Sequence, residues 1–516
     1  MNVSLTTADF AYRARTLHAD RLGVIDEPGV LGSLGRLTYG EVMRCCDGMV
    51  AALDQLGIRQ GERVAIVSPN AAKMLIALYA VTGSGRVLVP INFRLSAEEV
   101  QFIVDDADAS LLLIDPLLDE RLIAVDAPQR IVMDGVADKD MFDRSEHEVE
   151  WPVVEETLPA TLNYTSGTTA SPKGVILSHR SHWLNAVTVG WSFGLGEGDR
   201  YLHTLPTFHV NGWGLPFGCA ALGVPQVIQR DVRGPEILDR VKAEGITLLC
   251  GAAPVVSTIE RAAEDLRASG RPVPGEGTTR MVSGGAPTPP AVIELFEETT
   301  GWEMIHAYGL TETGPVLTAN RVLPDEISDP ARRAQLLARA GAPLLGVRLR
   351  IDGEGEVLAR TAKAMSGYWN RPELSDLACD GEWVNTGDGG QIDADGRLRI
   401  TDRKKDVIVS GGEKVLSVEL EACLYNHPDV EDVAVVGVPH DRWGETPMAL
   451  VVLREGAIFD PDQLIDFCRQ RLAHFKCPTS VEQRESLPRT ATGKVQKYLL
   501  RQQFSAEARR IEGSSD

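Results

Sequence analysis

The chain has 516 residues, of which 43% are hydrophobic and 24% charged, and its formal net charge is −21. These are the proportions of a large globular protein with room for several domain-sized cores. The negative balance excludes nucleic acid or an anionic membrane as the main partner, so an anionic substrate must be caught by local positive groups. Eight cysteines without a C-x-x-C pair read as reduced intracellular thiols. There is no basic-then-apolar leader, no apolar run long enough to span a membrane and no peroxisomal address in Glu512-Gly-Ser-Ser-Asp516, so the expected compartment is the cytoplasm.

Residues 1 to about 160 alternate between strand and helix patterns. Arg63-Val-Ala-Ile-Val-Ser68 has the continuous apolar pattern of a buried strand, and Asn70 is placed to cap the apolar helix that runs through Val81. Val87-Leu-Val-Pro90, Leu111-Leu-Leu-Ile114 and Arg130-Ile-Val-Met133 repeat the strand theme around a helix at Ala97–Asp106. Such alternation predicts an α/β fold, a parallel or mixed sheet covered by helices. No dinucleotide fingerprint is present, since Gly83-Ser-Gly85 is followed by Leu88 where a third glycine belongs. Gly270–Thr279, rich in Pro and Gly, reads as a surface loop.

The densest chemistry lies in Tyr164-Thr-Ser-Gly-Thr-Thr-Ala-Ser-Pro-Lys-Gly174. Six hydroxyl side chains, two glycines and Lys173 suit a backbone that turns its N–H groups toward a polyphosphate. It is not the common nucleotide P-loop, because Pro172 and Gly174 flank the lysine. From composition alone a flexible surface loop fits equally. His179 and His182 are too few for a metal site and read as structural. Leu205-Pro-Thr-Phe-His209-Val-Asn-Gly-Trp213 reads as the start of a helix whose aromatics belong either to a core or to a pocket. Met281-Val-Ser-Gly-Gly-Ala-Pro287 is a strand running into a turn without bulky side chains, against which a flat ring can lie. His306-Ala-Tyr-Gly-Leu-Thr-Glu312 offers a carboxylate, Trp383-Val-Asn-Thr-Gly-Asp388 another, and Asp402-Arg-Lys-Lys-Asp406 is a charge run. Beyond it, strands at 406–412, 433–438 and 449–453 and helices at 419–424 and 461–472 form a unit with its own pattern. Leu487-Pro-Arg-Thr-Ala-Thr-Gly-Lys494-Val follows.

Taken in order, Tyr164–Gly174, Tyr308–Glu312, Thr386–Asp388 and Leu487–Lys494 resemble the signatures of the adenylate-forming superfamily of acyl-CoA synthetases, luciferases and peptide-synthetase adenylation domains. The resemblance implies a large N-terminal domain of mixed sheets and helices over 1–402 and a small mobile α+β lid over 403–516. It implies that Thr165, Ser166, Gly167, Thr168, Thr169 and Lys173 hold the phosphates of ATP. Gly284, Gly285 and Ala286 would bed the adenine, Tyr308 would stack on it with Gly309 also in the nucleotide site, and Thr311 would contact the α-phosphate. Glu312 would hold Mg2+, Asp388 and Arg403 the ribose, and Lys405 would be the hinge. Gly411 and Gly412 would approach CoA, and Lys494 would bridge the carboxylate and the α-phosphate. His209 and Trp213 would face the acid. The family usually has Gly where this chain has Ala170, and Lys414-Val-Leu-Ser417 departs from the family's CoA loop after Gly411-Gly412-Glu413.

The expected chemistry is ATP-dependent activation of a carboxylic acid to acyl-CoA through an acyl-adenylate, with AMP and pyrophosphate released. The His-Val-Asn-Gly-Trp string resembles fatty enzymes, so the expected acid is a medium or long aliphatic one. Alternatives are an aryl-acid CoA ligase, or transfer to a carrier-protein thiol or to an amine; a non-catalytic nucleotide-binding protein is a further reading, opposed by the presence of Lys494, Glu312 and Asp388. A homodimer is a possible assembly.

Overall fold

The apolar run after Asn70 forms the helix Ala72–Gly83, every residue of which is buried. A helix that is apolar all round needs cover on all sides. It gets that cover from two sheets, and shares one core with Val64, Ile66, Leu88, Leu111 and Leu113 of the first and Leu37 and Ile228 of the second. The computed structural model describes residues 3–147, 149–165, 172–323, 327–403, 405–440, 442–490 and 494–512.

The first sheet has seven strands in the order Gly367–Tyr368, Lys173–Ser178, Pro159–Thr165, Val87–Ile91, Arg63–Val67, Ala109–Ile114 and Arg130–Val132. Its middle strands are parallel and buried on both faces, which is why they read as unbroken apolar runs. The second sheet has nine strands and includes Leu248–Gly251, Arg280–Gly284, Glu303–Gly309 and Val316–Asn320 side by side. A third, antiparallel sheet of five contains Trp383–Ile392 paired with Leu398–Arg403. The expected helix Ala97–Asp106 is present with a capping box at Ser96. The 270–279 segment lies between the helix Ala253–Ala268 and the strand Arg280–Gly284 and carries no element.

Asn70 does not cap the helix. Ala71 is the cap residue, and the Ala72 N–H donates instead to Asp26 Oδ1 at 3.2 Å. The Asn70 carboxamide donates to the His203 carbonyl at 2.8 Å and accepts from the Thr207 N–H at 2.8 Å. A buried amide must satisfy both its ends, and these distant strand-end groups do so where a helix terminus would engage only one.

A fourth sheet follows, with Ile408–Ser410, Glu413–Val415, Val430–His440, Gly444–Leu453 and Ser480–Gln483. With the helices Ser417–Tyr425 and Pro461–Arg469 it builds a core of its own around Leu420, Val435, Val451 and Leu464. Buried Asp402 accepts from the Ser417 N–H and hydroxyl at 2.6 and 2.8 Å, and Arg261 of the second sheet's helical layer is ion-paired with Glu431. All eight cysteines are free. No helix among the described residues is long and apolar enough to cross a membrane.

Candidate active site

Strand pairing sets Asp388 opposite Arg403, with a register shift between Gly389 and Gly390. The Asp388 side chain is nearly closed off from solvent; Oδ2 accepts from the Tyr308 hydroxyl at 2.8 Å and Oδ1 faces Arg403 Nε at 3.3 Å. Burial, with Asp388 beside it, pushes the Tyr308 phenol well above its usual range, so it stays a donor. Tyr308 is the penultimate residue of the strand Glu303–Gly309, and the chain then folds back sharply. A Cβ on Gly309 would stand 1.9 Å from the Pro315 carbonyl oxygen, so no other residue allows this return.

Lys494 arrives from the other end of the chain. Its N–H donates to Thr490 Oγ1 at 3.1 Å, and the Thr490 N–H donates to its carbonyl at 2.7 Å. Burial draws the Lys494 ammonium down to about 8; Arg403 and Lys405 add to the effect, while Asp388 and Asp406 oppose it. Burial, reinforced by Lys494, lowers His209 to about 4, so its imidazole is neutral at pH 7. One ammonium therefore senses the carboxylate at 388 and the histidine at 209, groups that the sequence separates by hundreds of residues.

Thr165 ends its strand directly across from Lys173. Ser166, Gly167, Thr168, Thr169 and Ala170 lie outside the described residues. Lys173 Nζ stands 5.4 Å over the Tyr368 ring, whose hydroxyl donates to Glu312 Oε1 at 2.9 Å, and the Met365 N–H donates to the Glu312 carbonyl at 2.9 Å. Thr311 is buried beside it. Tyr164 differs from expectation: its hydroxyl donates to Asp106 Oδ2 at 2.8 Å and belongs to the scaffold. Tyr368 was missed by sequence reasoning, although the aromatic pair Tyr368-Trp369 after Gly367 marked a short strand.

The segment after His209 is not the start of a helix. Val210, Asn211, Gly212, Trp213 and Gly214 all have positive φ (35°, 44°, 57°, 54° and 85°), and the helix Leu215–Leu222 begins only afterwards. This left-handed turn aims the Trp213 indole at Gly284, where a Cβ would lie 2.5 Å from its Cη2. Gly284 is thus required by the tryptophan as much as by a flat ligand. Gly285 follows with φ 86°, and the Ala286 backbone is in reach of His306.

Gly411 and Gly412, with φ 60° and 90°, turn the hairpin Ile408–Glu413 against Trp443, whose carbonyl accepts from the Gly411 N–H at 2.9 Å. No contact among the described residues joins this turn to Asp388, Tyr308 or Lys494. His179 and His182 are structural: they pair with Thr7 and Thr161 at 3.0 and 2.9 Å, and burial takes them down to about 4 and about 3.

A protein with this fold and this meeting of lysine, aspartate and tyrosine is an adenylate-forming enzyme. The chain belongs to the AMP-binding enzyme family, matching it over residues 11–369 and matching the AMP-binding enzyme C-terminal domain over 419–494. It is 34% identical to a 2-methylpropanoate–CoA ligase of Humulus lupulus (96% of this chain, 94% of that one). It is also 34% identical to a peroxisomal benzoate–CoA ligase of Arabidopsis thaliana (97% and 93%). The crystal structure of an anthranilate CoA ligase with anthranoyl-AMP superposes with a TM-score of 0.87 at 26% identity, covering 98% of this chain and 99% of that one. The protein is an acid–thiol ligase of the acyl-CoA ligase type, with binding capacity for ATP or AMP and for CoA.

Proposed function

We propose that this ligase activates a small carboxylic acid, short-chain aliphatic or aryl, in place of the medium or long chain expected from the His-Val-Asn-Gly-Trp string. Two things support the smaller acid. The relatives named above act on 2-methylpropanoate, benzoate and anthranilate. The Trp213 indole also lies close against Gly284, and a bulky ring at the proposed acid site favours a small acid.

The mechanism has two steps. A carboxylate oxygen bonds to the α-phosphorus of ATP, the bond to the bridging oxygen breaks, and pyrophosphate leaves. Little covalent help is needed; the protein supplies position and charge. The charge of Lys494 acts on His209 and is acted on by Asp388, and in this reading it steadies the negative charge of acid and α-phosphate. Asp388, an acceptor on both oxygens, suits the two ribose hydroxyls, with Arg403 beside it. Thr165 and Lys173 face the polyphosphate. In the second step the CoA sulfur bonds to the acyl carbon, the acyl–phosphate C–O bond breaks, AMP leaves and the thiol proton goes to solvent. Lys405 lies between the third and fourth sheets, where rotation of 403–516 against 1–402 would withdraw Lys494 and bring in Gly411 and Gly412.

Glu312 fits a divalent cation: its carboxylate is a hard oxygen donor beside Lys173, and no set of three or more protein ligands competes for the metal among the described residues. Bound there, Mg2+ would take its other ligands from phosphate and water and would neutralise charge on the polyphosphate.

The observation that carries the proposal is the buried Asp388 held by the Tyr308 hydroxyl and Arg403, with the buried Lys494 ammonium influenced by the same carboxylate. The test is to incubate the protein with ATP, CoA and a panel of acids from C2 to C16 with benzoates, and to weigh the products. Acyl-CoA from small acids is expected; a maximum at long chains would overturn the small-acid assignment, and acyl-AMP without acyl-CoA would overturn CoA as acceptor.

A further inference from the structure

Lys363 has no part in the roles above, yet the residue is only 1% exposed. Buried Lys73 is ion-paired with Asp138, whereas no carboxylate partners Lys363 among the described residues. Its ammonium donates to the Val316 carbonyl and lies 3.4 Å from Asn185 Oδ1. Asn185 in turn donates through Nδ2 to the Trp213 carbonyl at 2.8 Å. A continuous polar chain therefore runs from Val316 through Lys363 and Asn185 to the turn that carries Trp213.

The Lys363 backbone reaches the other half of the site. Its carbonyl accepts from the Ser181 hydroxyl, and Gly314 lies so close that a Cβ there would stand 1.7 Å from the same oxygen. Two residues on, the Met365 N–H holds the Glu312 carbonyl, and the Tyr368 hydroxyl holds its carboxylate. One short segment, 363–368, thus grips the Glu312 turn with its backbone and the Trp213 turn with a side chain.

Two independent observations make the side chain more than filler. The 210–214 turn puts Val210, Asn211 and Trp213 in the left-handed region, which is unfavourable above all for a β-branched residue and persists only where surroundings hold it. Asn185 is such a hold, and Lys363 orients Asn185. Second, a lysine sealed away without a carboxylate weakens the fold; burial alone draws it down to about 7. A methionine would fill nearly the same volume without that cost.

Resting on the ligase reading above, we propose that Lys363 is a positioning residue: through Asn185 it fastens the acid-site turn at Trp213 to the Thr311–Val316 segment that carries Glu312. Acid and nucleotide halves are thereby held in one register.

The test compares the parent with Lys363→Met and Lys363→Gln, reading melting temperature, acid and ATP KM by acid-dependent pyrophosphate exchange, and amide hydrogen exchange at 210–214. Lys363→Met is expected to be at least as stable at pH 7. Its acid KM should nonetheless rise about tenfold, the effect of one lost polar link, with ATP KM within about twofold of the parent. Lys363→Gln keeps an N–H donor and should recover part of the loss. A parental acid KM in Lys363→Met, or a lower melting temperature with unaltered kinetics, overturns the proposal. Should Lys363→Met not fold, Asn185→Ala breaks the same chain, and a parental acid KM there is equally fatal. Hydrogen exchange does not depend on turnover: unchanged exchange at 210–214 overturns the link, whereas a parent lacking acid-dependent pyrophosphate exchange overturns the ligase reading instead.

Discussion

Lys494 and Lys363 are both lysines drawn below their ordinary range by burial, and the consequences have opposite signs. In the proposed mechanism Lys494 acts as a cation, so its service is present below about pH 8 and lost as pH rises through that value. The kcat/KM of adenylation, which reports the free enzyme, should therefore fall above pH 8. Lys494→Ala should remove this limb and slow adenylation by about a hundred- to a thousandfold, the 3–4 kcal/mol of a single positioned donor. Pre-made acyl-adenylate with CoA should still react; equal damage to both half-reactions would make Lys494 structural. Lys363 is held at about 7 in the fold against 10.5 when unfolded, so between these values the unfolded chain binds the extra proton and stability rises with pH. Any melting-temperature advantage of Lys363→Met should shrink from pH 7 to pH 9; an advantage that grows would contradict a buried, unpaired amine.

The elements differ in how far local sequence governs them. Buried parallel strands such as Arg63–Val67 and Ala109–Ile114 were legible because both faces must be apolar and the run is unbroken. The helix Ala97–Asp106 was legible too, and the capping box that the structure shows at Ser96 and Glu99 is a local device of the kind sequence carries. The candidate site residues Asp388, Tyr308 and Lys494 could be read only as ordered signatures; how they are placed depends on strand register and on a hairpin from the far end of the chain. Asn70 misled because capping is a local rule, while its actual partners lie more than a hundred residues away. The 210–214 turn was hidden for the same reason: its handedness is held by Asn185 and by the seat of Trp213 on Gly284. Tyr368 and Lys363 belong to no motif that could be read, since each matters only through what it touches. Trp213→Ala should shift the acid profile toward longer chains, with ATP KM nearly unchanged; an unaltered profile across the panel would remove the indole from the acid site.

At the scale of the molecule, the small C-terminal sheet with its own core meets the large domain through polar links that include, among the described residues, Asp402 with Ser417 and Arg261 with Glu431. Such an interface suits a unit that swings. Lys405→Pro fixes φ near −65° and should leave adenylation in place while stalling thioester formation; equal loss of both steps would place the pivot elsewhere. The large domain imposes a different constraint, through the helix Ala72–Gly83. Because that helix has no outward face, its core is incomplete until Ile228 has joined it. A nascent chain that stops short of this strand carries the most apolar helix of its first hundred residues with one flank bare. During synthesis the ribosome must deliver more than two hundred residues before this core can close, a long interval of exposed surface that invites chaperone capture or aggregation. Truncations ending before Gln226–Ile228 are therefore expected in the insoluble fraction, and the point along the chain at which solubility returns marks where the enzyme first becomes able to fold.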